Sequence, residues 1–317
     1  MKRNRKSRKK SWNKRLIAAG AAVAAVPVIV LAAAEVLAFR IVKTSVHMPE
    51  KDKNTYNPET NRKHENNPDI QTVTMQTFDN VSLLGHWYPC EDAERTIICM
   101  HGWHGSWLKD FGDIIDFLHD SHCNILLPDE RGQNSSEGGF MGFSLLERYD
   151  CMEWIKWVNS KVSPDLPVYL YGVSMGSATV MMTSAFDLPA NVRGVIADCG
   201  FTSPQDIWRY LTNKTMHLPY GKLMELLTER RFAGRTGIKG TKYSSVEALQ
   251  NCDVPILFVH GSEDDFVPTK MTYINFEAFD GDKEMLIING AGHAVNYRTD
   301  PESYEAAVKR LWAKCEE

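Results

Sequence analysis

Six runs of almost unbroken apolar residues punctuate the chain: RTIICM (95–100), NILLP (124–128), PVYLYG (167–172), VRGVIA (192–197), VPILFVH (254–260) and EMLIIN (284–289). Strands covered on both faces of a parallel sheet read this way, because neither side of the pleat meets water. Helical spacing recurs between them, as over 144–160, where Leu145, Tyr149, Met152 and Ile155 follow one another at near-turn intervals. Ahead of the six runs, DIQTVTMQTFDNVSLLGHWYP alternates on either side of Asp79-Asn80, the pattern of a β-hairpin. This order predicts one doubly wound α/β domain over 70–317, mostly parallel, with an antiparallel N-terminal hairpin.

The one sizeable insertion, 203–250, predicts a small helical cap. Within it YGKLMELLTERRF (220–232) sets Leu223, Leu226 and Leu227 on one face, enough to roof a pocket. Residues 40–69 are polar, rich in asparagine and proline, and read as a linker.

Before the linker the pattern changes. Leu16 to Ala34 carries no charge over nineteen residues, and after Glu35 the apolar run continues to Phe39. That length predicts a transmembrane anchor over 16–39, with 1–15 as a basic cytoplasmic head. The head carries nine Lys/Arg and no acid, whereas Arg40, Lys43, Lys51 and Lys53 follow the segment. The positive-inside bias therefore places the large domain outside the cytoplasm, in a single-pass arrangement at the cell membrane. Ala32-Ala33-Ala34 resembles a signal-peptidase site, so a cleaved signal peptide is the rival reading.

Charge narrows the partners. The chain's net charge is −4, and without the nine basic residues of the head the remainder stands at −13. An acidic main domain disfavours phosphate backbones, so nucleic acid is not an expected partner. The seven cysteines show no C-x-x-C spacing and cannot all pair; Cys99 in a strand and Cys151 in a helix read as buried free thiols. Unpaired thiols suit a reducing compartment better than an exterior one, against the charge asymmetry.

Ligands of such sheets bind beyond the carboxyl ends of the strands, so the residues that follow each strand carry the functional information. His101-Gly102-Trp103-His104-Gly105 follows the first parallel run, Asp129-Glu130-Arg131-Gly132 the second and Ser174 the third. Asp198 follows the fourth, Asp264 the fifth and Gly292-His293 the sixth. Ser174 sits in YGVSMGSA, between Gly172 and Gly176, the pattern of a strand turning sharply into a helix with serine at the turn. Serine, acid and histidine thus end three strands on one edge of the sheet, in chain order Ser…Asp…His. His101 and His104 lack a convincing third partner, so no metal is expected.

The segments HGWHGS, DERGQNSSEG, GVSMGS, ADCGFTSP, HGSEDDFVP and GAGH together resemble the α/β-hydrolase superfamily from about residue 70 to the end. More narrowly they resemble its membrane-tethered bacterial branch related to prolyl-oligopeptidase-like serine hydrolases. Asn134 stands where relatives usually carry glycine, which bears on the local loop shape. The resemblance implies Ser174 as nucleophile, His293 as base and Asp264 as its orienter. Three acids compete in SEDD and Asp198 also ends a strand; the resemblance selects Asp264, four residues after His260. It also implies an oxyanion hole from the backbone N–H groups of Met175 and Trp103. Arg131 is expected to tie its loop to neighbouring acids.

The expected function is a serine hydrolase that cleaves carboxylic esters through an acyl-serine intermediate, without cofactor, on a small-molecule acyl ester. A peptidase acting on short peptides is the nearest alternative; related peptidases carry a large filtering domain, for which the linker leaves no room. A tethered binding protein that keeps the fold without the chemistry is the alternative from another class.

Overall fold

A computed structural model describes residues 30–43, 58–217 and 220–316. Residues 30–43 form helix α1. The elements that follow are α2 (Pro58–Glu65), β1 (Gln71–Gln76), β2 (Ser82–Tyr88), β3 (Arg95–Met100), α3 (Trp107–Phe111), α4 (Ile115–Asp120) and β4 (Cys123–Pro128). Next come α5 (Glu147–Asn159), β5 (Val168–Val173), α6 (Met175–Thr183), β6 (Val192–Asp198), α7 (Pro204–Met216), α8 (Lys222–Thr236) and α9 (Ser245–Leu249). The chain closes with β7 (Ile256–Gly261), α10 (Lys270–Ala278), β8 (Lys283–Ile288), α11 (Asn296–Thr299) and α12 (Pro301–Glu316).

Eight strands form one sheet in the order β1-β2-β4-β3-β5-β6-β7-β8. The pairs β1–β2 and β2–β4 are antiparallel and the remaining pairs parallel. The α/β expectation, including the antiparallel hairpin, is met. Alternation explains the layers. On β3, Ile97 and Cys99 face the cluster with Phe111, Leu118 and Trp312, whereas Ile98 and Met100 face Trp154, Val180 and Phe258. Each central strand is buried on both faces, which is why these runs show no polar alternation.

Helix α5 departs from the expected stripe. Its buried positions are Glu147, Asp150, Cys151, Trp154, Ile155 and Val158, while Tyr149 is exposed. Two acids occupy the inward face because both find partners there. Glu147 accepts from the Gly142 N–H at 2.5 Å, and Asp150 accepts from Nε and Nη2 of Arg131, each at 2.5 Å.

The cap over 203–250 is helical, as expected, but α8 turns a different face inward. Met224, Leu227, Thr228 and Phe232 are buried, whereas Leu223 and Leu226 are exposed. The inward set is spaced three, one and four residues apart, a steeper stripe than the leucines alone define.

Helix α1 is the larger surprise. Ala34, Leu37, Ala38, Ile41 and Val42 are buried in a third cluster with Phe143, Trp208, Met224 and Phe232. Their spacing is that of one helical face, and the face is laid on the domain. Glu35 pairs with Arg231, whose guanidinium also lies over the Phe39 ring. The expected division between anchor and linker at residue 40 therefore falls inside one continuous helix. The upstream part of the expected anchor, 16–29, and the head 1–15 lie outside the described residues. No helix among the described residues is long and apolar enough to cross a membrane. At the far end of the expected linker, α2 is also held on the domain, with Asn61 and His64 buried and Lys63 bonded to Asp116 at 2.6 Å.

Candidate active site

The strand β5 ends at Val173 and α6 begins at Met175, so the whole reversal falls on Ser174. Its backbone sits at φ 57°, ψ −113°, a conformation L-residues avoid and hold only when the surroundings impose it. The Ser174 N–H donates to the Asp198 carbonyl at 2.8 Å, which fixes the turn to β6. The flanking glycines are required by contact. A Cβ on Gly172 would collide with the backbone of Gly176, and one on Gly176 with the backbone of Met100 and His101. Both collisions are with main chain, which cannot swing aside. The G-x-S-x-G pattern is thus the condition for the turn to close.

Asp264 is held in the turn after β7. Its Oδ1 accepts from the N–H groups of Phe266 and Val267, each at 2.9 Å. Its Oδ2 lies 2.7 Å from His293 Nδ1, and His293 Nε2 lies 2.9 Å from Ser174 Oγ. The structure therefore brings Ser174, His293 and Asp264 into one hydrogen-bonded line, although 119 residues separate Ser174 from His293. With Nδ1–H donated to the carboxylate, Nε2 is left to accept the serine proton. The loop that presents His293 turns at Gly290, at φ 75°, whose N–H donates to Ser262 Oγ at 2.8 Å. Gly292 needs no such conformation; Ala294, beside the histidine, takes φ 57° instead.

Burial alone would raise the Asp264 pKa, but hydrogen bonds from His260 and His293 outweigh it and hold the carboxyl well below the usual range. Asp198, the competing acid, is engaged elsewhere. It receives the Asn296 amide at 2.5 Å and the Tyr304 hydroxyl at 2.9 Å, and Tyr304 meets Tyr171 at 2.7 Å. Burial pushes the Asp198 pKa up, against those two donors.

The remaining motif residues build the frame. Buried His101 meets the Gly102 carbonyl through Nδ1 at 2.8 Å and accepts the Glu130 N–H through Nε2 at 3.0 Å. Buried Arg131 grips Asp150 and, at 2.9 and 3.1 Å, Asp79, the loop-tying part expected of it. Asn134 stands at φ 51°, a left-handed position that asparagine tolerates best after glycine. Its amide donates to the Gly105 carbonyl at 3.0 Å, so the loop keeps its turn without the glycine.

Ser174 opens into a cavity of about 250 Å3. Met175 and Trp103 line it beside the serine, together with Phe143, Phe201, Trp208 and Phe266. The Trp103 ring stacks at 6.0 Å on Phe266, which lies 4.9 Å from the His293 ring. One aromatic wall thus runs from the expected oxyanion loop to the imidazole. Its roof is α7, through Ile207, Trp208 and Leu211, joined by Arg40 and Ile41 of α1. None of the α8 leucines takes part among the lining residues. No local pattern signals that α1 reaches the site, because its partners lie more than a hundred residues away.

The Cys199 sulfur lies in one cluster with ligand atoms of Asp264 and His293, all within 4.8 Å of one another. A cation held there would occupy the carboxylate and imidazole that now bond each other and Ser174. All seven cysteines are unpaired.

The sequence profile described as alpha/beta hydrolase fold matches residues 95–223. The Bacillus subtilis protein YqkD is 24% identical over 229 residues, 72% of this chain and 74% of that one. The Pyrococcus furiosus esterase Pf2001 superposes with a TM-score of 0.65 at 18% identity, over 84% of this chain and 99% of the esterase. The Pyrococcus horikoshii acylaminoacyl peptidase superposes with a TM-score of 0.56 at 14% identity, over 76% of this chain and 40% of the peptidase. Sheet order, the strained serine turn and these likenesses agree: the chain has the α/β-hydrolase fold.

Proposed function

We propose that this protein is a serine hydrolase that cleaves carboxylic esters, with Ser174, His293 and Asp264 as its catalytic triad. The observation that carries the reading is the Ser174–His293–Asp264 line of hydrogen bonds opening into an apolar cavity. Ser174 Oγ attacks the ester carbonyl carbon while its proton passes to His293 Nε2. Asp264, ionised well below neutral pH, stabilises the imidazolium so formed. The tetrahedral oxyanion lies toward the N–H of Met175, at the start of α6, and that of Trp103; each such donor is worth about two to three decades of rate. Collapse expels the alcohol, protonated by His293, and leaves the acyl chain on Ser174. Water, deprotonated by the same imidazole, then releases the carboxylic acid and restores the serine.

The cavity favours ester over amide. Its walls are aromatic and aliphatic, suited to an acyl chain and poor in groups that would hold a peptide backbone. A fluorophosphonate probe should label wild type and spare Ser174→Ala. In parallel, chromogenic esters of increasing acyl length should be hydrolysed and aminoacyl amides left intact. Equal labelling of both proteins overturns the nucleophile; preferential cleavage of the amides makes the enzyme a peptidase.

We also infer a single-pass tether with the catalytic domain outside the cytoplasm. The support is sequence charge together with the place where α1 meets the domain. Leu16 to Ala33 is an uncharged run of eighteen residues, and burial against the domain begins at Ala34. As a helix the run would measure about 27 Å, close to a bilayer core of roughly 30 Å.

A further inference from the structure

Arg40 is out of place by composition. It is exposed, and it lines the rim of a cavity whose other walls are almost wholly apolar. Three cations of the cap helices are matched: Arg231 with Glu35, Lys214 with Asp265, and Arg209 with Asp206 and Glu225. Arg40 makes no ion pair or hydrogen bond with another described residue. Its position is nonetheless fixed, because Ile41, the next residue, is buried in the cavity wall and in the cluster that docks α1. The helix dipole favours a cation in the last turn of α1, but it does not require one on the rim of the cavity.

A guanidinium at the edge of an apolar chamber suits a ligand that is greasy at one end and anionic at the other. Resting on the ester-hydrolase reading above, we propose that the substrate is an anionic amphiphile: its acyl chain fills the cavity, its carbonyl lies at Ser174, and a negative group on its alcohol part meets Arg40. Arg40 follows Ala33 by seven residues, about 10 Å of helix, so a tethered protein would hold this rim near the bilayer surface. A lipid headgroup phosphate and a soluble phosphate-bearing ester share the chemistry that Arg40 would recognise.

The test separates binding from turnover. In full-length Ser174→Ala, calorimetry compares octanoyl glycerol phosphate with octanoyl glycerol, which differ only in the phosphate. The phosphate ligand should bind about tenfold more tightly, the worth of one charge-assisted contact. Adding Arg40→Gln should bring the ratio near one, and Arg40→Glu should take it below one. A ratio near one in Ser174→Ala, or one that neither Arg40 substitution changes, overturns the proposal. Wild-type turnover of the same pair is read separately: if the ratio behaves as stated and neither ester is cleaved, the hydrolase reading fails and the recognition stands. Repeating the comparison with oleoyl chains in phosphatidylcholine vesicles identifies the source. A preference larger in vesicles than in solution assigns it to a lipid headgroup, and an equal preference to the anionic group in either setting.

Discussion

His260 stands 3.1 Å from Oδ2 of Asp264, the same oxygen that receives the ring of His293. Its ring is anchored at both nitrogens, by Thr272 Oγ1 at 2.6 Å and by the Val267 carbonyl at 2.9 Å. His260 therefore fastens the acid from behind while His293 uses it in front.

His260→Leu removes one of the two imidazole donors that keep Asp264 ionised. The carboxylate then loses the partner behind it and orients His293 less firmly. The expected loss in kcat at neutral pH is about tenfold with KM little changed, because the residue positions the acid and touches no substrate. His260→Gln, which can still donate, should recover part of the loss; a wild-type kcat in His260→Leu removes this role.

Asp264→Asn should lower kcat by about four decades, since the histidine loses the partner that fixes its tautomer. Asp198→Asn should leave kcat within a few-fold and lower the melting temperature, because Asp198 serves the Asn296–Tyr304 network. Kinetics and calorimetry on both variants decide between the two acids. A crippled Asp198→Asn with a normal fold would reverse the assignment.

The legible parts of this chain are those whose cause is local. All six apolar runs became strands, with ends shifted by up to two residues; the four central ones are buried on both faces, which removes polar positions from a strand. That Ser174, Asp264 and His293 come together was readable because each follows a strand and topology sends strand ends to one edge. The misread parts depend on distant partners. The acids on the inner face of α5 are tolerable only because Arg131 reaches Asp150, and Glu35 meets Arg231 across 196 residues. An apolar helix such as α1 suits a bilayer and a protein groove equally by composition. What it actually covers was set by Phe143, Trp208 and Phe232, far along the chain.

Gly176→Ala tests the condition for the serine turn. The added Cβ meets backbone of Met100 and His101, so the cost should be about 3 kcal/mol or more, with Ser174 displaced from His293. Fluorophosphonate labelling should fall more steeply than folded content measured by circular dichroism. Gly139→Ala, which has nothing within 4 Å, serves as the control. Normal labelling in Gly176→Ala would show that the turn has slack.

Glu130 supplies a pH test away from the site. Both its carboxylate oxygens are buried without a hydrogen-bond partner among the described residues. Burial, followed by the charges of Glu147, Asp150 and Asp110, pushes its pKa well above the usual range. A carboxyl raised on folding contributes stability that is present below its unfolded pKa and lost as pH rises through the folded value. Glu130→Gln removes that loss. The variant should match wild type near pH 4 and exceed it by about 1–3 kcal/mol at pH 8. Denaturant unfolding at the two pH values reads the difference, and a constant gap would mean that Glu130 does not titrate with folding.

The tether can be tested on intact cells. Lys51 and Lys53 lie between α1 and α2, and both are targets for trypsin. With nine basic residues before the apolar segment and four after it, the head should stay inside and this stretch should face out. External trypsin on a single-membrane host, or on spheroplasts of a double-membraned one, should then cut this stretch, and a mild-urea wash that undocks α1 should release the catalytic domain into the medium. Cutting there separates α1 from the chain, so the freed domain should keep short-chain ester hydrolysis better than long-chain hydrolysis. The reason is that Ile41 belongs to the cavity wall and contributes most where the acyl chain is long. Protection of the stretch until lysis would invert the orientation, and the seven unpaired thiols, which suit a reducing compartment, would have been the better guide. Active protein found in the medium without trypsin, beginning at Glu35, would instead make the segment a cleaved signal peptide.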